Sequence, residues 1–136
     1  MRIQTYLNFK GECEEAFRLY QRVLGGKILD ISHFRGSPME GHFSPEWGDK
    51  VMHTSLDVGG QIIHGSDPPP DHFHGAHGFA VCLDFDNEAE AERVYNGLSE
   101  GGQIQMPLGE TFWAKRYAMF VDRFGTPWMI NVPKPM

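Results

Sequence analysis

Residues 106–132, MPLGETFWAKRYAMFVDRFGTPWMINV, decide how the chain folds. Tyr117-Ala-Met-Phe-Val121 reads as one strand and Trp128-Met-Ile-Asn-Val132 as its return. Both are rich in β-branched and aromatic side chains, which suit a pleated, half-buried surface. Asp122-Arg-Phe-Gly-Thr-Pro127 between them supplies the turn. Gly125 offers the positive φ that such a turn needs, and Pro127 costs no ladder bond at a strand's first residue. Glu110, Thr111, Phe112, Trp113, Lys115 and Arg116 stand just ahead, where the mouth of a sheet would meet a ligand.

The same succession occurs upstream. Val51–Val58 and Gln61–Ser66 read as strands joined by Gly59-Gly60, a two-residue hairpin turn. Each hairpin follows a strand, a helix and a strand. In the first copy, residues 3–9 alternate as a strand, and a helix begins at Glu12 with Cys13, Ala16, Phe17, Tyr20 and Leu24 on its apolar face. Gly25-Gly26 ends that helix, and residues 27–34 extend again. In the second copy, residues 79–85 are a strand and Asn87 caps a helix running to about Ser99. Ala91, Val94, Tyr95 and Leu98 form its inner face, Gly101-Gly102 stops it, and residues 103–106 form a short strand. The chain is thus two βαβββ repeats, one at about 1–67 and one at about 78–136, with a proline-rich linker at about 68–77. Residues 35–50 form a long Gly- and Pro-broken loop of the kind that serves as a lid or binding element. Neither repeat covers both its helix stripe and its sheet face alone, so the two are expected to share one core. The expected fold is α+β, a single domain over 1–136. Its eight strands would make a curved, mixed, barrel-like sheet with two helices outside.

The totals exclude several classes of function. A chain of 136 residues suits one domain. The formal charge is −6 and no basic cluster occurs, which argues against nucleic acid as a partner. No apolar run reaches the roughly 18 residues of a membrane span. No signal-peptide pattern opens the sequence, so a cytoplasmic location is expected. The two cysteines, Cys13 and Cys82, sit inside patterned elements and read as reduced core thiols.

Paired βαβββ units of this length resemble the vicinal oxygen chelate superfamily, which groups glyoxalases, bleomycin resistance proteins and dioxygenases, and within it the PhnB-like branch. The residues that carry the resemblance are Tyr6-Leu-Asn-Phe9, Cys13-Glu-Glu-Ala16, Gly25-Gly26, Met52-His53, Gly65-Ser-Asp67 and Ala89-Glu-Ala-Glu92. Most specific are Met106-Pro-Leu, Thr111-Phe-Trp113 and Asp122-Arg-Phe-Gly125 with Trp128. The resemblance implies this fold and often a homodimer, but no single reaction. A demethylubiquinone methyltransferase label is common in the branch. The Gly-rich loop that a methyl donor ordinarily requires does not follow residues 3–9.

The resemblance also implies where a metal would sit: on His or Glu side chains of the first and last strand of each repeat. Gln4, Thr5 and Asn8 occupy the first of these positions, His64 the second, Ala80 and Cys82 the third, and Met129 the fourth. His64 is the only residue there that suits a metal, so no intact metal site and no cofactor are expected. His72, His74 and His77 cluster in the linker, where a solvated loop is the simpler reading.

With a two-residue turn at Gly59-Gly60, Val58 opposes Gln61, Ser55 opposes His64 and His53 opposes Ser66. Opposite residues share a face, so His53, Ser55 and His64 form one polar patch. Either that face is outer surface, or it lines a concavity and makes His53 and His64 candidate acid–base groups. The resemblance favours the concavity. Glu110, Phe112, Trp113, Arg116 and Tyr117, with Tyr6, are the remaining candidate ligand-binding residues. Their mixture of charge and aromatic area suits a planar ligand bearing a polar group. The leading expectation is therefore a small-molecule-binding protein. The alternatives are a metal-dependent lyase, isomerase or dioxygenase using His53 or His64, and a structural or regulatory dimer without a ligand.

Overall fold

The computed structural model describes residues 1–135, and both βαβββ successions are present in them. The first compact unit covers residues 1–75. It contains β1 (Thr5–Asn8), α1 (Cys13–Leu24), β2 (Lys27–His33), β3 (Val51–Val58) and β4 (Gln61–Ser66). Its sheet has the order β1-β4-β3-β2, with β1 parallel to β4 and the other pairs antiparallel.

Cys13, Ala16, Phe17, Leu19, Tyr20 and Val23 of α1 are buried. Leu24 is only half-buried, so Leu19 and Val23 complete the stripe in its place. The helix lies so close to β4 that a Cβ on Gly65 would stand 2.3 Å from the Phe17 ring. Glu12 provides no side-chain cap for α1. Asp67 does that work from a distance in sequence. Its Oδ1 accepts from the N–H groups of Gly11 (2.9 Å) and Cys13 (3.0 Å), and its Oδ2 accepts from that of Val51 (3.0 Å). The carboxylate thereby ties the end of β4 to the starts of α1 and β3, and Asp67 is buried.

The second unit begins at Ala76. It contains β5 (Val81–Asp84), α2 (Glu88–Ser99), β6 (Gln103–Gly109), β7 (Ala114–Val121) and β8 (Pro127–Pro133). The order β5-β8-β7-β6 repeats the first sheet, again with one parallel pair, β5 with β8. Asn87 caps α2, its side chain accepting from the Glu90 N–H at 3.0 Å. Ala91, Val94 and Leu98 are buried beneath it, and the half-buried Tyr95 meets Phe120 edge-on at 5.7 Å. Asp122 organises the closing turn. It accepts from the N–H groups of Phe124 and Thr126 and from the Trp128 indole at 2.8 Å. Gly125, at φ 95°, donates back to the Asp122 carbonyl.

The α+β class with two repeats stands, and among the described residues the strands pair as two four-stranded sheets, not as one eight-stranded sheet. β6 and β7 are longer than their apolar runs indicate. β6 runs through Pro107 to Gly109 because it pairs only with β7, and an edge strand tolerates a residue without an N–H. One cysteine departs from expectation. Cys13 is buried, and desolvation above all, then the nearby Asp67 and Glu14 carboxylates, push its thiol far up from its ordinary value. Cys82 is exposed, because it lies on the pleat opposite to the half-buried Val81 and Leu83.

Candidate functional site

The hairpin of β3 and β4 has the register that its Gly-Gly turn dictates: Val58 opposes Gln61, Leu56 opposes Ile63 and Ser55 opposes His64. Thr54, Leu56, Ile63 and Gly65 are buried on the side of α1. His53, Ser55 and His64 therefore occupy the other face of the sheet. β1 adds Tyr6 beside His64, and β2 adds Asp30 beside Ser55. A register shift between Ile28 and Asp30 brings the carboxylate to that position, and the Thr54 hydroxyl pins the bulge by donating to the Asp30 carbonyl at 2.7 Å.

These side chains form a hydrogen-bonded row. Ser55 Oγ donates to Asp30 Oδ1 at 2.6 Å, and Asp30 Oδ2 lies 3.1 Å from His53 Nδ1. His53 Nε2 lies 3.1 Å from His64 Nδ1, and His64 Nε2 lies 2.7 Å from Gln4 Oε1. Tyr6 stacks on His64, with centroids 5.9 Å apart and planes 17° apart, and half of its surface remains exposed. The Ser55 hydroxyl chiefly, with His53 adding to it against the opposing effect of burial, holds the Asp30 carboxyl below its ordinary value. Ser55 itself is buried beneath the row, so it supports Asp30 instead of facing solvent. Sequence reasoning passed over Asp30. The available signal was an acidic residue within the strand Lys27-Ile-Leu-Asp-Ile, a place where Asp is uncommon.

The second sheet answers this row with sulfur. Cys82 pairs with Met129, Met129 with Met119 and Met119 with Met106. In the shared strand order, Cys82 stands where Tyr6 does and Met129 where His64 does. Trp113 stands edge-on to both Phe112 (4.7 Å) and Tyr117 (5.2 Å). Phe112 is exposed at the tip, and the Thr111 hydroxyl holds the turn by accepting from the Ala114 N–H at 3.0 Å. Glu110 pairs with Lys134 at 3.5 Å, and Arg116 donates to Glu88 at 3.2 Å. The candidate residues thus divide: Tyr6, His53, Ser55 and His64 belong to the first unit, and Glu110, Phe112, Trp113, Arg116 and Tyr117 to the second.

The donor set does not fit a metal of the kind that the resemblance implies. His64 directs one ring nitrogen at His53 and the other at Gln4, and His53, His64 and Asp30 lie in a line, not around a point. Among the described residues no three His, Cys, Asp or Glu side chains are grouped to hold a metal ion. In the linker, His72 and His74 are exposed, and His72 lies 3.8 Å from Asp71.

The profile of the glyoxalase/bleomycin resistance protein/dioxygenase superfamily matches residues 2–130. The chain belongs to this superfamily. Within the superfamily it is similar to protein YjdN of Escherichia coli (strain K12), at 34% identity over 142 residues, covering 98% of this chain and 97% of that protein. The crystal structure of protein PA1353 from Pseudomonas aeruginosa superposes with a TM-score of 0.90 at 43% identity, covering 99% of each chain. The PhnB protein from Bacillus cereus superposes with a TM-score of 0.82 at 25% identity, covering 97% of this chain and 99% of that one. The superfamily fold is one that holds small molecules, and this member is PhnB-like. No helix among its described residues is long and apolar enough to cross a membrane.

Proposed function

We propose that this protein binds a small organic molecule on the open face of its first sheet and does so without an obligatory metal. The observation that carries this reading is the continuous row Ser55–Asp30–His53–His64–Gln4 beside the half-exposed ring of Tyr6. A sheet face turned to solvent for its own sake has no need of five side chains locked to one another, because each would be hydrated singly at no cost. An aromatic shelf next to a few convergent polar groups is the ordinary make-up of a small-ligand site. We further propose that the protein works as a cytoplasmic homodimer. The PhnB-like membership supports this, as does the exposed aromatic tip at Phe112.

The test is titration of a panel of planar organic compounds, followed by NMR of the Tyr6, His53 and His64 side chains. Binders should shift all three, and His64→Ala should abolish the shifts while leaving the fold intact. Binders that perturb none of these residues would overturn the assignment of the site.

A further inference from the structure

The row can be read as a proton ledger. Its two ends are oxygen acceptors, Asp30 Oδ2 and Gln4 Oε1. Three contacts lie between those ends: Asp30 to His53, His53 to His64, and His64 to Gln4. Each contact requires one hydrogen, and two neutral imidazoles carry one each. The direction of the first two is fixed from the Asp30 end. A carboxylate only accepts, so His53 holds its hydrogen on Nδ1 and donates it. His53 Nε2 is then an acceptor, and His64 must donate to it from Nδ1. This leaves a lone pair on His64 Nε2, facing an amide oxygen at 2.7 Å. His64 Nε2 is then the acceptor at the exposed end of the row, and it takes its hydrogen either from Gln4, once that side chain turns its amide N–H₂ inward, or from an outside donor in its place.

We propose that this open end is a site for a small planar ligand carrying a hydroxyl, such as a phenol, whose O–H takes the place of the Gln4 amide and donates to His64 Nε2. Asp30 is the positioning residue, since it sets the tautomer of a ring that it does not touch. The ligand's ring lies along Tyr6, which already stacks on His64. Gln4 is a placeholder. It is exposed and precedes β1, so it can turn its own amide N–H₂ toward the lone pair or swing aside. The charged and titratable groups that face the two rings within the first unit are Asp30 on β2 and Tyr6 on β1. On β3, Asp57 shares the face, but its carboxylate accepts from the Gly60 N–H at 2.7 Å. The low position of the Asp30 carboxyl titration agrees with an anion at the head of the row. The inference rests on the proposed function, and it names the class of ligand.

The test has two arms. The first is ¹⁵N NMR of histidine-labelled, ligand-free protein at about pH 8, above the ordinary range of histidine titration. Both His53 and His64 are expected as the Nδ1–H tautomer. In Asp30→Asn, the Ser55 hydroxyl still claims the oxygen, so the new amide N–H₂ faces His53 Nδ1 and the whole row reverses. Both rings should then carry hydrogen on Nε2. The second arm uses phenol and anisole, which share a ring and differ in the hydroxyl hydrogen. The wild-type protein should bind phenol about tenfold more tightly than anisole, the worth of one hydrogen bond, and that preference should vanish in Asp30→Asn, where His64 Nε2–H donates to either oxygen. Gln4→Ala should tighten phenol a few-fold, because a competitor is gone. A doubly protonated His53 or His64 in the wild-type protein at that pH, an Nε2–H tautomer at His64 there, or tautomers indifferent to Asp30→Asn would each overturn the inference. So would equal binding of phenol and anisole. A ligand without a hydroxyl that binds against Tyr6 more tightly than phenol would overturn it too while leaving the proposed function standing.

Discussion

Two carboxylates of the first unit do opposite jobs, and their surroundings tell them apart. Asp67 is buried and accepts from three backbone N–H groups at the starts of two different elements, α1 and β3. Asp67→Asn puts an N–H₂ against at least one of those donors, and a buried donor left unsatisfied costs about 1–3 kcal/mol. Urea denaturation should show a loss of that order, with ligand binding on the folded protein unchanged. Asp30 is half-exposed, and its carboxyl is held low chiefly by Ser55. A carboxyl whose folded pKa lies below its unfolded one stabilises the protein above the unfolded value of about 3.9, and that contribution disappears as pH falls through the folded value. Ser55→Ala should move the Asp30 titration, followed by carboxyl ¹³C NMR, upward toward the ordinary range. The part of the stability difference from wild type that comes from this linkage should be present at about pH 6 and shrink below about pH 3.9. An unmoved Asp30 titration would show that the hydroxyl does not set it.

At the scale of elements, packing depends on single residues whose roles propensity does not reveal. Gly65 lets α1 approach β4, with a Cβ there falling 2.3 Å from Phe17 Cε1 and 3.1 Å from Cys13 Sγ. Gly65→Ala forces a buried ring and a helix to shift, and overpacking of this kind costs about 1–3 kcal/mol. Because β4 also carries His64, the same substitution should disturb the His53–His64 contact, and histidine NMR would detect it. In the second unit, Trp128 is buried with its indole donating to Asp122 Oδ2. Trp128→Phe keeps most of the apolar area but leaves a buried carboxylate oxygen without that donor. A loss of about 1–3 kcal/mol in thermal or urea unfolding is expected. The elements were largely legible in the sequence, because helix faces such as Ala91-Val94-Leu98, the Gly59-Gly60 hairpin and the turn at Gly125 announce themselves by period and punctuation. Of β6 only residues 103–106 were, because its position at the sheet edge is what makes the continuation through Pro107 to Gly109 tolerable.

At the scale of the whole molecule, one βαβββ plan is used twice with different chemistry on the same positions. The first sheet carries Tyr6, His64, Ser55 and Asp30 across its strands, and the second carries Cys82, Met129, Met119 and Met106. Ligand binding on the first sheet is expected to survive a chelator. Calorimetric titration of untagged protein with and without EDTA should give the same affinity. A stoichiometric metal removed together with binding would instead favour a metal enzyme. Sedimentation velocity should return the mass of a dimer, and Phe112→Ser, at a position that is 88% exposed, should weaken that dimer while costing the fold less than about 0.5 kcal/mol.

The sequence by itself determined the repeat, the two helices, the register of the β3–β4 hairpin and hence the shared face of His53, Ser55 and His64. All of these follow from local rules: the period of apolar residues, the geometry of a two-residue turn, and alternation along a strand. It also determined that Met129 answers to His64, by counting from each turn. Only the tertiary structure decided what those side chains do. Asp30 reaches Ser55 through a bulge in β2, Gln4 reaches His64 from sixty residues away, and Asp67 caps a helix that began fifty-four residues earlier. Contacts of this kind depend on which strands lie side by side and on a one-residue slip within a ladder. No local pattern encodes either, so the histidines were visible as candidates while the carboxylate that orders them was not.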